Sequence, residues 1–124
     1  MRPTAEITYP WKVFIGDYSW IGDAVVLYSL GEITIGAHTV ISQRSYLCAA
    51  THAIEDILFT QYAKPIHVGS ECWIATDVFV SPGISIGDGT VVGARSTVLH
   101  DLPAGMVCHG YPARPVRPRI VQPP

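Results

Sequence analysis

The chain is short of charge. Asp, Glu, Lys and Arg make up 15% of its 124 residues, against about 25% in an ordinary soluble domain. A formal net charge of -2 leaves no basic excess, which argues against a general nucleic-acid binder. No apolar run approaches the length of a membrane-spanning helix, and the opening residues carry no apolar signal-peptide core. The expectation is a cytoplasmic protein with no stable membrane insertion. Cys48, Cys72 and Cys108 form an odd set without CxxC spacing, which points away from a disulfide framework and from a zinc knuckle. A P-loop is missing, as is a GxGxxG after a strand, so nothing suggests nucleotide hydrolysis or hydride transfer. Helical periodicity is also lacking, apart from room for one or two turns within residues 53–67.

What the chain does have is a period of six. Aliphatic residues recur at Ile15, Ile21 and Leu27, then at Ile35, Ile41 and Leu47 after a slip of two. They return at Val68, Ile74, Val80, Ile86, Val92 and Val98 without a slip. Ile, Val and Leu are about a quarter of the chain, so filling twelve such positions by chance is roughly a one-in-ten-million event. Gly follows the aliphatic at 16, 22, 36, 69, 87 and 93, and small or branched residues such as Thr39, Ser45, Cys72, Thr90 and Ser96 come four positions after it. Neither the helical period nor the strand period of two fits this spacing. A solenoid does, with three short strands per coil, each giving one aliphatic to a triangular core.

On that register the single domain spans 1–124, with about four coils. Residues 1–14 read as a partial starting coil. Ile33-Thr34 reads as a corner insertion, and residues 53–67 as a loop extruded from the solenoid. Residues 104–124, with five prolines, Arg114, Arg117 and Arg119, read as an extended, solvated tail. Aromatics at outward positions, Tyr18, Trp20, Tyr46, Trp73 and Phe79, together with the low charge, indicate burial against further copies of the chain. The Ile57-Leu58-Phe59 segment of the loop is expected to touch such a neighbour.

The segments IGDYSWIGD (15–23), ITIGAHTVISQRSYLCAATH (33–52), CWIATDVFVSPGISIGDGTVVGARSTV (72–98) and GYPARPVR (110–117) resemble the hexapeptide-repeat acyltransferases. Within that family the likeness is greatest to O-acetyltransferases of colanic-acid and other exopolysaccharide biosynthesis, and next to galactoside and maltose acetyltransferases. The resemblance implies an all-β, left-handed parallel β-helix. It also implies acetyl transfer from acetyl-CoA to a sugar hydroxyl, in a homotrimer with active sites between adjacent prisms and no metal.

The family's catalytic His stands just before the protruding loop, which here is His52. Neutral imidazole suits deprotonation of a hydroxyl near pH 7. By the six-residue register Glu32, five after Leu27, matches His52, five after Leu47, one coil away at about 4.8 Å. Glu32 is therefore expected to orient the ring, as a carboxylate does in catalytic triads. Two features depart from the family pattern: Ala53 stands where relatives carry Asp, and Ala49-Ala50 where they favour Gly. For the donor, the resemblance implies Trp73 and Thr76 beside the thioester, Ala94 against the pantetheine arm, and Arg95, Arg114 and Arg117 toward the CoA phosphates. Guanidinium groups match phosphate in geometry and charge. The implied reaction is direct transfer without an acyl-enzyme.

Other readings of the same fold are an amino-sugar N-acetyltransferase or antibiotic acetyltransferase, a γ-carbonic-anhydrase-like zinc enzyme, and a non-catalytic structural solenoid. His38, His52 and His67 invite the zinc reading, but their spacings of 14 and 15 carry no ligand pattern.

Overall fold

The computed structural model describes all 124 residues. Three parallel sheets form the faces of a triangular prism. Face one stacks Glu6–Ile7, Val26–Tyr28, Tyr46–Cys48, Phe79–Val80 and Thr97–Val98. Face two stacks Val13–Ile15, Ile33–Ile35, Ile66–Val68 and Ser85–Ile86. Face three stacks Trp20–Ile21, Val40–Ile41, Trp73–Ile74, Val91–Val92 and Met106–Gly110, with Ala113–Pro118 added antiparallel at its edge. The chain visits the faces in the order two, three, one, and the fold is the expected left-handed parallel β-helix, with four complete coils and partial coils at both ends. The sole helical element is a 3-10 turn at Pro10–Lys12.

The six-residue ladder is the core. Ile21, Leu27, Ile35, Ile41, Leu47, Val68, Ile74, Val80, Ile86, Val92 and Val98 are all buried, and each lies directly over its counterpart, as in Leu27↔Leu47 and Ile41↔Ile74↔Val92. Ile15, at the open end, is only partly buried. Each such side chain contributes about 1.5–3 kcal/mol when fully removed from water.

The corners follow a second rule. At most corners the residue three after the inward aliphatic takes a left-handed conformation, seen at Tyr18, Ala24, His38, Arg44, Glu71, Asp77 and Arg95 with φ between 54° and 62°, and at Gly83 and Gly89. Four residues after the aliphatic, a buried hydroxyl bonds to the next coil. Thr39 Oγ1 donates to the Gly69 carbonyl (2.7 Å) and accepts from Cys72 N–H (3.1 Å). Ser45 does the same with Ala75 and Val78. Glycine after the aliphatic has a steric cause: a Cβ on Gly36 would lie 2.6 Å from the Ser70 nitrogen, in the coil stacked above.

Three expectations about the interruptions need correction. Ile33-Thr34 is not a corner insertion but part of a strand, and Ile33 pairs with Val13 and Ile66 as a second inward residue on face two. The extra residues of that coil instead lengthen the preceding corner, Ser29 to Glu32. The extruded segment also begins earlier and ends sooner than 53–67. Ala50–His52 already pairs antiparallel with Gln61–Ala63 as a hairpin, and Ile66 is back in the core. Finally, the extended tail after 104 is exposed as expected but paired to the solenoid. Met106–Gly110 continues face three over Val91-Val92, and Ala113–Pro118 folds back along it with a bulge at Val107/Cys108. Prolines survive there because an edge strand has no further partner for the missing N–H.

Two substitutions test this account by urea unfolding. Ile74→Ala should cost about 2–5 kcal/mol through the cavity it leaves. Thr39→Val, nearly isosteric, should cost about 1–3 kcal/mol because it strands the buried Cys72 N–H and Gly69 carbonyl.

Candidate active site

The corner between faces three and one repeats one backbone shape in successive coils, and its residues stack. Ser42 and Gln43 follow Ile41, Ala75 and Thr76 follow Ile74, and Gly93 and Ala94 follow Val92. These six and Trp73 line a cleft of about 320 Å³. It thus brings together three of the residues expected for the donor: Trp73, Thr76 and Ala94. Trp73, 48% exposed, is pinned by its indole N–H donating to Ser42 Oγ at 2.9 Å. The Thr76 hydroxyl donates to the Gln43 carbonyl at 2.9 Å. Its one proton is committed there, and its lone pairs are left to accept.

Arg95 occupies the left-handed corner position and leaves the cleft, with its side chain 81% exposed and 3.8 Å from Asp77. Arg114 and Arg117 lie on the edge strand Ala113–Pro118, opposite His109 and Val107. In the backbone register His109 follows Cys108 as Gly93 follows Val92, so Arg114 sits two strands beyond Gly93 along the same face. At about 4.8 Å per strand that is roughly 10 Å from the end of the cleft. The arginines are therefore aligned with the cleft without lining it.

A second groove, of about 640 Å³, continues the same corner toward the first coil. Arg2, Trp20, Gly22, Asp23, Ala24, Gln43 and Arg44 line it, and Gln43 is shared with the cleft. Arg2 Nε lies 2.9 Å from Asp23 Oδ1, and Thr4 Oγ1 donates to the same oxygen. These hydrogen bonds, Arg2 first, hold the Asp23 carboxyl below the usual carboxylate range.

His52 lies at a different corner, between faces one and two, at the outer end of the hairpin strand Ala50–His52. Its Nδ1 is 2.9 Å from the Phe59 carbonyl oxygen, and its ring stacks on that of Phe59 with centroids 4.1 Å apart. A carbonyl can only accept, so Nδ1 carries the proton and Nε2 keeps its lone pair in the neutral ring. Glu32 is not stacked beneath His52. The cross-strand partner of His52 is Gln61, while the Glu32 carbonyl accepts from Ile66 N–H. The register between these coils breaks as soon as the chain leaves Cys48, because Ala50 turns into the hairpin. The orienting contact expected of Glu32 is supplied by Phe59 instead.

The remaining histidines are dispersed. His38 is a corner residue stacked on Tyr18, and His67 points outward from face two opposite Thr34 and Ser85. His109 pairs with Arg114. Sequence reasoning missed Ser42, Gln43 and Phe59. The first two were within reach, since they stand after Ile41 as Ala75 and Thr76 stand after Ile74. Phe59 had no signal, because a hairpin contact seven residues away obeys no repeat.

Comparison with known proteins bears on what these corners are for. A hexapeptide-repeat-containing acetyltransferase of Vibrio cholerae superposes with a TM-score of 0.88 and 30% identity, covering 94% of this chain and 68% of its own. The chain belongs to the hexapeptide-repeat acetyltransferase family. The Vibrio family member has also been solved with acetyl-coenzyme A, and in that form it superposes with a TM-score of 0.90 and 28% identity over 98% of this chain and 68% of its own. A maltose O-acetyltransferase of Clostridium difficile matches with a TM-score of 0.91 and 26% identity, over 96% of this chain and 65% of that one. Among curated sequences, WcaF of Escherichia coli K12, named for an acetyltransferase role in colanic acid biosynthesis, is 61% identical over 120 residues. That alignment takes in 97% of this chain and 66% of the relative, so the chain spans just under two thirds of that protein. No family model matches the chain.

The cysteines are separate from this site. Cys72 and Cys108 are buried, and burial pushes both thiols up from their ordinary pKa. A raised pKa means less thiolate, the reactive form, at any given pH. Titration of the folded protein with a thiol reagent at pH 8 should therefore modify at most one cysteine per chain quickly. That one is the half-buried Cys48, and Cys48→Ser should abolish the fast phase.

Proposed function

We propose that this chain acts as an acetyl-CoA-dependent O-acetyltransferase on a sugar hydroxyl in exopolysaccharide biosynthesis, working in the cytoplasm as a homotrimer. The observation that carries the reading is the pairing of two corners: one with a cleft formed by Trp73, Thr76 and Ala94, the other with an imidazole whose Nε2 is free to accept a proton. The acetyl-CoA complex of the Vibrio relative supports the donor, and the likeness to WcaF supports the pathway class.

Within one chain these corners are separated by face one. The six residue steps from Gln43 to Ala49, at about 3.3 Å each, put them at most roughly 20 Å apart. A base and a thioester at opposite ends of a face do not react. A cyclic arrangement, in which the hairpin corner of each prism meets the cleft corner of the next, closes the gap and repeats around three copies. Outward-facing Val26, Tyr46 and Phe79 on face one, and Trp20, Val40 and Trp73 on face three, form apolar ladders suited to such contacts. Face two presents Phe14, Thr34, His67 and Ser85, and is polar beyond its first strand. The exposed tip residues Ile57 and Leu58 are shielded by the same packing.

In the proposed reaction, the acceptor lies in the larger groove, where Trp20 offers a flat apolar surface and Gln43, Asp23, Arg2 and Arg44 offer polar contacts. His52 Nε2 takes the proton of its hydroxyl. The oxygen attacks the acetyl carbonyl, the new C–O bond forms, the C–S bond breaks, and imidazolium returns the proton to the CoA sulfur. Thr76 cannot supply that proton while it donates to Gln43. It lines the cleft as an acceptor. The Phe59 carbonyl stabilises imidazolium through Nδ1–H, the role of the orienting group in a triad. Arg114 and Arg117 lie where a phosphate-bearing tail extending along face three would pass, and Arg95 can swing to the same path.

His52→Ala should lower kcat by about a hundredfold to ten-thousandfold while leaving acetyl-CoA binding unchanged by calorimetry. Near-normal turnover would sink the assignment. Ala94→Trp, at an exposed cleft position, should abolish acetyl-CoA binding without lowering Tm. Refolding the two inactive variants together should restore activity at about a quarter of the sites, the random-mixing share for a site drawn from two neighbouring copies. No recovery would mean that the site lies within one chain.

A further inference from the structure

The hairpin tip beyond His52 is organised around one side chain that touches neither cleft nor groove. Asp56 Oδ1 accepts from Leu58 N–H at 3.0 Å, and Oδ2 accepts from the Thr60 hydroxyl at 3.0 Å. Its backbone joins in: Asp56 N–H donates to the Ala53 carbonyl and its carbonyl accepts from Phe59 N–H. Ala53 N–H to the Thr60 carbonyl closes the loop. Five hydrogen bonds thus span eight residues, and four of them end on Asp56.

Phe59, enclosed by these bonds, has a φ of +50°. A bulky L-residue adopts that region only when its surroundings over-determine it, as the stacked coils do at Tyr18 and Arg44, and Phe59 lies off that lattice. Here the geometry turns the Phe59 carbonyl toward His52 Nδ1 and lays its ring on the imidazole. Relaxing Phe59 to a negative φ would rotate both away. The bonds that oppose relaxation come from Leu58 and Thr60, on either side of it, and both end on the Asp56 carboxylate.

We propose that Asp56 is a positioning residue, which fixes the tautomer and orientation of His52 by holding Phe59 in its left-handed conformation. Asp56 acts at second hand. It is about as far along the chain from His52 as one helical turn, yet its carboxylate bonds only to the tip. The function of the hairpin follows from this: the tip replaces the adjacent carboxylate that a triad would use with a backbone carbonyl, and a side chain locks that carbonyl in place. The catalytic consequence rests on His52 being the base, whereas the positioning itself does not.

Two readouts separate these statements. In full-length protein labelled with nitrogen-15 at histidine, the His52 resonances, assigned by their loss in His52→Gln, should report an Nδ1–H tautomer at a pH where the ring is neutral. Asp56→Ala should shift them toward the Nε2–H form that free histidine favours, and lower kcat roughly tenfold to a hundredfold with KM for acetyl-CoA unchanged. Asp56→Asn, which still accepts from Leu58 N–H through Oδ1, should recover most of both. Glu55→Ala, on the same loop, should change neither. The tip is exposed, so all three variants should keep the wild-type Tm. An unaltered tautomer and kcat in Asp56→Ala would overturn the proposal. A shifted tautomer with full activity would uphold the positioning and overturn instead the assignment of His52 as base.

Discussion

An inward aliphatic side chain has to meet its counterpart one coil on at the spacing between neighbouring strands, about 4.8 Å. That single requirement fixes much else here. It keeps the strand register constant from coil to coil and confines insertions to a corner, because a residue more or less within a strand would turn the rest of it inside out. Constant register stacks corner on corner, so that Gly36 must be glycine beneath Ser70 and Thr39 finds Gly69 and Cys72 in reach. Stacked corners are what make the cleft, since Gln43, Thr76 and Ala94 meet only because their coils are in register. Packing and site are therefore one construction.

The polar interior of this prism is small but complete. Ser29, Thr39, Ser45, Thr90 and Ser96 are its buried polar residues, and no buried side-chain polar atom is left without a hydrogen-bond partner. In a narrow triangular core the hydroxyls take the place of longer apolar side chains at the corners, where there is room for little more than an oxygen. They join successive coils through backbone groups that the tight turns leave without ladder partners. His52 and the cleft are kept out of this interior. They sit on the exposed corners, where one turn can be lengthened into a hairpin without disturbing the stack.

Legibility followed the repeat. Eleven of the twelve periodic aliphatics are buried, and Trp73, Thr76 and Ala94, all tied to that register, share a cleft. Where the chain leaves the repeat, register arithmetic failed. Counting five from Leu27 and five from Leu47 matched Glu32 to His52. The pairing holds through Tyr28↔Cys48 and then ends, because the chain after Cys48 turns outward into a hairpin with its own antiparallel register. The prolines of the last segment suggested an unpaired tail for a related reason. Proline disfavours central strands, but it says nothing against an edge strand that folds back on the last coil.

The sequence by itself determined the period, the inward positions and the small corner residues, because these depend on local spacing that repeats and can be counted. It also singled out His52, through the motif around the one large interruption. Tertiary structure alone decided which atom holds the imidazole. The Phe59 carbonyl reaches His52 only through the hairpin and through a left-handed turn held by Asp56. Tertiary structure also put His52 and the cleft on different corners of the prism. A linear sequence records neither fact, for both depend on where a chain that has left its lattice comes back to it.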